Sequence, residues 1–141
     1  MARADFYLIA KPRFLEQPLL LVCELARKAC DSGQPLLIFV DSIAQAEALD
    51  ELLWEFDADA YVPHQIAGTD EDDELTPVLI VPPEMQAPMR ALVLNLRATA
   101  VSGDFVRVLE VVPGDEASRG PSRERWKEYA ARGLAVQKFD M

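Results

Sequence analysis

Pro35-Leu36-Leu37-Ile38-Phe39-Val40 is the stretch whose reading decides the fold. A strand with one wet face alternates apolar and polar residues, whereas this one is apolar at every position. Such a run fits a strand buried on both faces, the signature of a parallel sheet covered by helices on each side. Upstream, Leu19, Val22, Cys23, Ala26 and Cys30 recur at helical spacing, with Pro18 in the first turn and Gly33 as the stop. Before them Phe6-Tyr7-Leu8-Ile9 reads as a buried first strand ended by Pro12. Downstream, Ser42 and Gln45 form a capping box, with Asp41 adding negative charge at the helix start. Ala46, Leu49, Leu52, Leu53 and Phe56 then mark a second amphipathic helix. Strand, helix, strand, helix is the opening of a βαβ layer.

The rest of the chain extends that layer. Ala60-Tyr61-Val62 is predicted as a short third strand, followed by a polar loop that holds Asp70-Glu71-Asp72-Asp73-Glu74. Val78–Val81 and Leu92–Leu96 are strand candidates, and the valine-rich Phe105–Val112 reads as another. A last helix is predicted from about Asp115 to Arg132, closed by Gly133, with Ala135–Phe139 as an edge strand. No repeat or linker divides the 141 residues. The expectation is one α/β domain over residues 1–141, a three-layer Rossmann-like fold with a mainly parallel central sheet and no nucleotide motif.

Charge narrows the function classes. The formal net charge is −10, but residues 1–77 carry −11 and residues 78–141 carry +1. Between Asp41 and Pro77 there are twelve acids and no lysine or arginine. Nucleic-acid phosphates repel such a body, so direct DNA binding is disfavoured and any work near DNA needs an intermediary. No apolar run is long enough for a membrane span, and Met1–Phe14 lacks the apolar core and small-residue cleavage site of a signal peptide. The cytoplasm is the expected location.

The sequence carries few groups arranged for chemistry. There is no Gly-x-x-x-x-Gly-Lys-Ser/Thr loop, and the first strand leads into Ala10-Lys11-Pro12 rather than glycines. A nucleophile elbow is also missing. His64 is the single histidine, and no serine or cysteine stands in a recognisable relation to it; a loop histidine bonded in a turn is the simpler reading. Cys23 and Cys30 lie two helical turns apart, about 10 Å along the axis, too far for a disulfide. The Asp70–Glu74 run lacks the spacing of a calcium loop, and Asp50-Glu51 reads as a solubilising helix face. No catalytic residue, cofactor or metal is expected. A nucleotide-dependent or hydrolytic Rossmann-like enzyme is the competing class.

Two surfaces stand out instead. Arg119, Arg123 and Lys127 are spaced i, i+4, i+8 and form a stripe on the last predicted helix, with Trp126 about 60° away on the wheel. Cations around an aromatic, on an acidic body, suit an acidic peptide with an apolar residue; a solvated helix anchored by Trp126 accounts for the spacing equally well. Trp54 and Tyr61 are a second candidate, either a docking patch or core aromatics.

Several segments, in order, resemble the chi subunit of the DNA polymerase III holoenzyme. They are Asp5-Phe6-Tyr7-Leu8, Leu49-Asp50-Glu51-Leu52-Leu53-Trp54, Tyr61-Val62-Pro63-His64-Gln65-Ile66-Ala67-Gly68, and Arg123-Glu124-Arg125-Trp126-Lys127-Glu128-Tyr129 with Gly133. The resemblance implies a non-catalytic α/β subunit of the clamp-loader assembly. Its implied partners are the psi subunit and the acidic C-terminal tail of single-stranded-DNA-binding protein, so that DNA is reached only indirectly. Matched by position, Arg119, Arg123, Trp126 and Lys127 fall at the tail-binding site. Trp126 stands where the family often has tyrosine, which keeps a stacking surface and loses a hydroxyl. Trp54 and Tyr61 fall at aromatics of the psi patch, where phenylalanine can replace the second. Whether a helicase shares that patch stays open.

Overall fold

In a computed structural model, the structure describes residues 2–57, 59, 61–68 and 76–141. Its elements are β1 (Arg3–Leu8), α1 (Pro12–Glu16), α2 (Leu19–Asp31), β2 (Leu36–Phe39), α3 (Ile43–Glu55), β3 (His64–Ile66), β4 (Val78–Val81), β5 (Leu92–Asn95), β6 (Arg107–Val112), α4 (Arg119–Ala131) and β7 (Ala135–Asp140). A single 3-10 turn, Glu116–Ser118, leads into α4.

The strands form one seven-stranded sheet in the order β3-β4-β2-β5-β6-β1-β7. Every pairing in it is parallel. The apolar run at 35–40 sits in its interior as β2, between β4 and β5, with Leu36, Leu37 and Ile38 buried. Its two faces belong to different cores, as an uninterrupted apolar strand requires. Leu36 and Ile38 pack with Val22, Leu25, Ala46 and Leu49 of α2 and α3. Leu37 packs with Ala4, Phe6, Val93, Val108 and Tyr129 on the face covered by α4. Three layers result, a Rossmann-like arrangement.

Local chemistry explains the element ends. Ser42 Oγ accepts from the Gln45 amide at 3.0 Å, and the Gln45 side chain accepts the Asp41 amide at 2.8 Å. The reciprocal cap therefore closes one residue earlier than the ordinary box. Gly133 ends α4 with φ +87°, a conformation that costs a side-chain-bearing residue dearly.

Four expectations are corrected. Pro12 opens a short helix rather than merely ending a strand, because a proline at the first helical position forfeits no needed N–H. β1 begins at Arg3, three residues before the apolar run, because pairing with both β6 and β7 outweighs the polarity of Asp5. Tyr61 and Val62 are not strand, and Ala60 lies outside the described residues; pairing with β4 starts at His64, after Pro63 lends its carbonyl to the Val78 amide at 3.2 Å. The last helix starts at Arg119, and the residues before it form the 3-10 turn. The acidic run Asp70–Glu74 also lies outside the described residues.

Candidate functional sites

Helical periodicity sorts the charges of α4 between solvent and interior. Arg125, two positions past Arg123, turns inward and is buried. Its Nε donates to Glu110 Oε1 on β6 at 2.8 Å, and its Nη1 donates to the Ala98 carbonyl at 3.2 Å. The same carboxylate accepts from Asn95 Nδ2 at 2.8 Å and from the Tyr129 hydroxyl at 2.6 Å. Burial pushes the Glu110 carboxyl above its ordinary range, against the pull of Arg125, and burial raises the Tyr129 phenol too. A carboxylate so deep is tolerated only with partners, and three bonds converge on this one. The network bolts α4 to the centre of the sheet.

With α4 fixed, Arg119, Arg123, Trp126 and Lys127 line one groove of about 630 Å³. Phe6 and Leu8 of β1, together with Val112, Pro113 and Gly114 at the end of β6, also line it. A Cβ at Gly114 would come within 2.4 Å of Leu15 Cδ2, so a side chain there would require that exposed leucine to move. Trp126 is half-buried, its ring 5.0 Å from that of Phe6, so it both anchors the helix and walls the groove. The anchoring role expected of that residue is met, and the same ring is left facing the groove. Among the described residues, neither Arg119 nor Arg123 is ion-paired with an acid of this chain, and Lys127 meets Glu124 at 3.7 Å in an exposed pair. Arg132 is spent on Glu128 at 2.8 Å and on the Val101 carbonyl. Of the cations on α4, periodicity has thus turned Arg119, Arg123 and Lys127 to the groove and Arg125 inward.

The second surface is a shallow, open corner. Trp54 at the end of α3 and Tyr61 ahead of β3 are 57% and 71% exposed, their rings 6.3 Å apart. Neither is a core aromatic. Beneath Trp54 lies His64, with ring centroids 4.7 Å apart. The histidine is not in a turn: it is buried at the first position of β3. Its Nδ1 lies 2.6 Å from the Val62 carbonyl, and its Nε2 lies 3.1 Å from the Asp50 carbonyl and 3.2 Å from Asp50 Oδ1. The imidazole is thereby committed to holding Trp54 and the α3–β3 junction. Asp50, read from sequence as a solubilising acid, is part of that support. Pro63 and Pro77 complete the corner.

The cysteines add no site. Cys23 is buried and Cys30 half-buried on α2, and burial pushes the Cys23 thiol up to about 12. Among the described residues, no three of His, Cys, Asp and Glu gather as a metal site, and no helix is long and apolar enough to cross a membrane.

Comparison with known proteins decides the family. The sequence model of the "DNA polymerase III chi subunit, HolC" family matches residues 1–137. This chain belongs to the DNA polymerase III chi family. It is 33% identical to DNA polymerase III subunit chi of Pseudomonas aeruginosa over 141 residues, covering 97% of this chain and 95% of that one. It is 31% identical to the Escherichia coli subunit over 116 residues, covering 81% and 79%. The Haemophilus influenzae subunit is 33% identical, with 80% of each chain covered. The C-terminal domain of the DEAD-box protein Dbp5 superposes with a TM-score of 0.65 over 99% of this chain and 91% of that domain, at 16% identity. That likeness is one of fold alone. Within the chi-family chain the groove floor was the part that sequence did not reveal: Phe6, Leu8 and Val112 reach α4 only through the strand order, and no local signal marks them.

Proposed function

We propose that this chi-family subunit is a non-catalytic bridge, whose α4 groove takes the acidic C-terminal tail of single-stranded-DNA-binding protein and whose Trp54–Tyr61 corner takes psi. One observation carries the reading: Arg119, Arg123, Trp126 and Lys127, spread over roughly two helical turns, converge on a single groove with an apolar floor. The two exposed arginines supply charge-assisted bonds to carboxylates, and the floor takes an apolar side chain. The body, at −10, repels DNA and so relies on the partner for its place there. Each tail contact is weak, but tails repeated along coated single-stranded DNA raise the effective concentration.

Calorimetric titration with a tail peptide tests the groove. Arg123→Ala should weaken binding on the order of tenfold or more, as for a charged hydrogen bond of about 1.5–3 kcal/mol. Affinity should also fall as salt rises. An unchanged affinity in Arg123→Ala, or one flat in salt, refutes the assignment. A pull-down with single-stranded-DNA-binding protein lacking its last few residues should lose the complex. Against the enzyme reading, a thermal-shift screen with nucleotides should leave the melting temperature where it is.

A further inference from the structure

We infer that the surface gripping the acidic segment spans the groove from α4 to the sheet edge, with Lys138 of β7 as its opposing cationic wall. This inference rests on the groove reading above and specifies it. The register places the residue: Lys138 pairs with Phe6 in the parallel β1–β7 ladder. Partners in a ladder project to the same side of the sheet, so Lys138 emerges beside Phe6, on the α4 face. It lines the same groove as Arg119, Arg123 and Lys127, although it lies beyond the end of α4 and on a different element. Among the described residues it is exposed and bonded to no acid of this chain.

The geometry constrains how a ligand lies. With cations on α4 alone, an acidic segment could drape over the outer surface of the helix. Cations on both walls, over a floor of Phe6, Leu8 and Val112, favour a segment that runs down the crevice between α4 and β7. Asp140 supplies the opposite sign. It pairs with Leu8, on the same face as Lys138 and two residues along the strand. It does not line the groove, but as the nearest acid on that strand it opposes an anionic ligand through space.

An edge-strand lysine has another use, since charge at an open edge discourages pairing with a second chain. The two roles predict different results. Tail-peptide titrations at low salt, on full-length chain whose fold is checked by amide NMR, compare Lys138→Gln, Lys138→Glu, Asp140→Asn and Arg123→Ala. Lys28→Gln, on α2 across the sheet, removes the same charge as Lys138→Gln. We expect Lys138→Gln to weaken binding about three- to fivefold, Lys138→Glu to weaken it further, Asp140→Asn to strengthen it, and Lys28→Gln to match the parent chain. If Lys138→Gln binds like the parent chain and instead self-associates in sedimentation, the lysine is only an edge guard and the inference falls. Equal losses in Lys138→Gln and Lys28→Gln would mean a diffuse field and also overturn it. Should Arg123→Ala bind normally as well, the groove reading itself is gone, a result distinct from failure of Lys138 alone.

Discussion

The groove and the corner are built by opposite means. The groove is concave and cationic, most of its charged residues brought together by one helix whose remaining arginine, Arg125, is spent inside the protein. The corner is open and aromatic, with no lysine, arginine, aspartate or glutamate among its lining residues, its rings propped on a buried histidine. The groove stands at the C-terminal ends of β1 and β6, the corner at the N-terminal ends of β3 and β4, and in a parallel sheet those are opposite ends. Between β3 and β1 lie five strand spacings, or roughly 24 Å. Partners of these two surfaces need not compete. The contrast also separates their energetics: a charge-assisted contact weakens with salt, whereas burial of two large aromatics does not.

The largest effect should come from the corner. Trp54→Ala or Tyr61→Ala should abolish co-purification with psi while the tail peptide still binds, since aromatic anchors at interface centres carry 2 kcal/mol or more. If both partners are lost together, the variant has unfolded, and circular dichroism distinguishes that case. Retention of psi by both variants would break the comparison outright.

After that loss of a whole complex comes a loss of stability: Glu110→Ala leaves Arg125 buried without a counter-charge. Removing one partner of such a pair costs about 3–5 kcal/mol, read as a lower urea midpoint. Because this carboxylate anchors α4, tail binding should drop more than psi binding does. The pH dependence has a definite sign. Burial raises the Glu110 carboxyl above its ordinary 4.5, so the folded state holds that proton more tightly than the unfolded chain. Its contribution is then present below pH 4.5 and lost as pH rises through the folded value. The stability of the parent chain relative to Glu110→Gln should therefore decline as urea titrations move upward from pH 4.5. A rising difference would show that Arg125 prevails over burial.

How much of this was legible beforehand follows from whether a feature is local or assembled. The interior strand at 35–40 announced its two buried faces in six residues, and the α4 stripe was visible because helical spacing maps sequence onto a face. The groove floor was not, because Phe6, Leu8 and Val112 meet α4 only once β1 has been inserted between β6 and β7. His64 shows the same limit: its neighbours in sequence suggest a turn, whereas its role depends on Asp50, fourteen residues earlier. Trp54 and Tyr61 were recognisable as large aromatics, but the exposure of Tyr61 goes with a β3 that starts only at His64, after Pro63, and that of Trp54 with the outward face of α3. Charge totals misled in one respect. They count every arginine alike, and only the fold shows that Glu110 and Glu128 have claimed Arg125 and Arg132.

The smallest predicted effect sharpens the comparison from inside the groove. Lys127 shares the stripe with Arg123, yet its ammonium already has Glu124 at 3.7 Å, and both side chains are about three-quarters exposed. Pairs of this kind are worth little, because water screens them and two long side chains must be ordered to form them. A ligand carboxylate that recruits Lys127 displaces Glu124, so the net gain is the difference between two similar contacts. Lys127→Ala should thus weaken the tail peptide by about threefold or less, against the tenfold or more expected for Arg123→Ala. Glu124→Gln should strengthen binding slightly by releasing the lysine. If Lys127→Ala instead matches Arg123→Ala, the groove is read by total charge rather than by placed partners, and the distinction between paired and unpaired cations on α4 has no functional content.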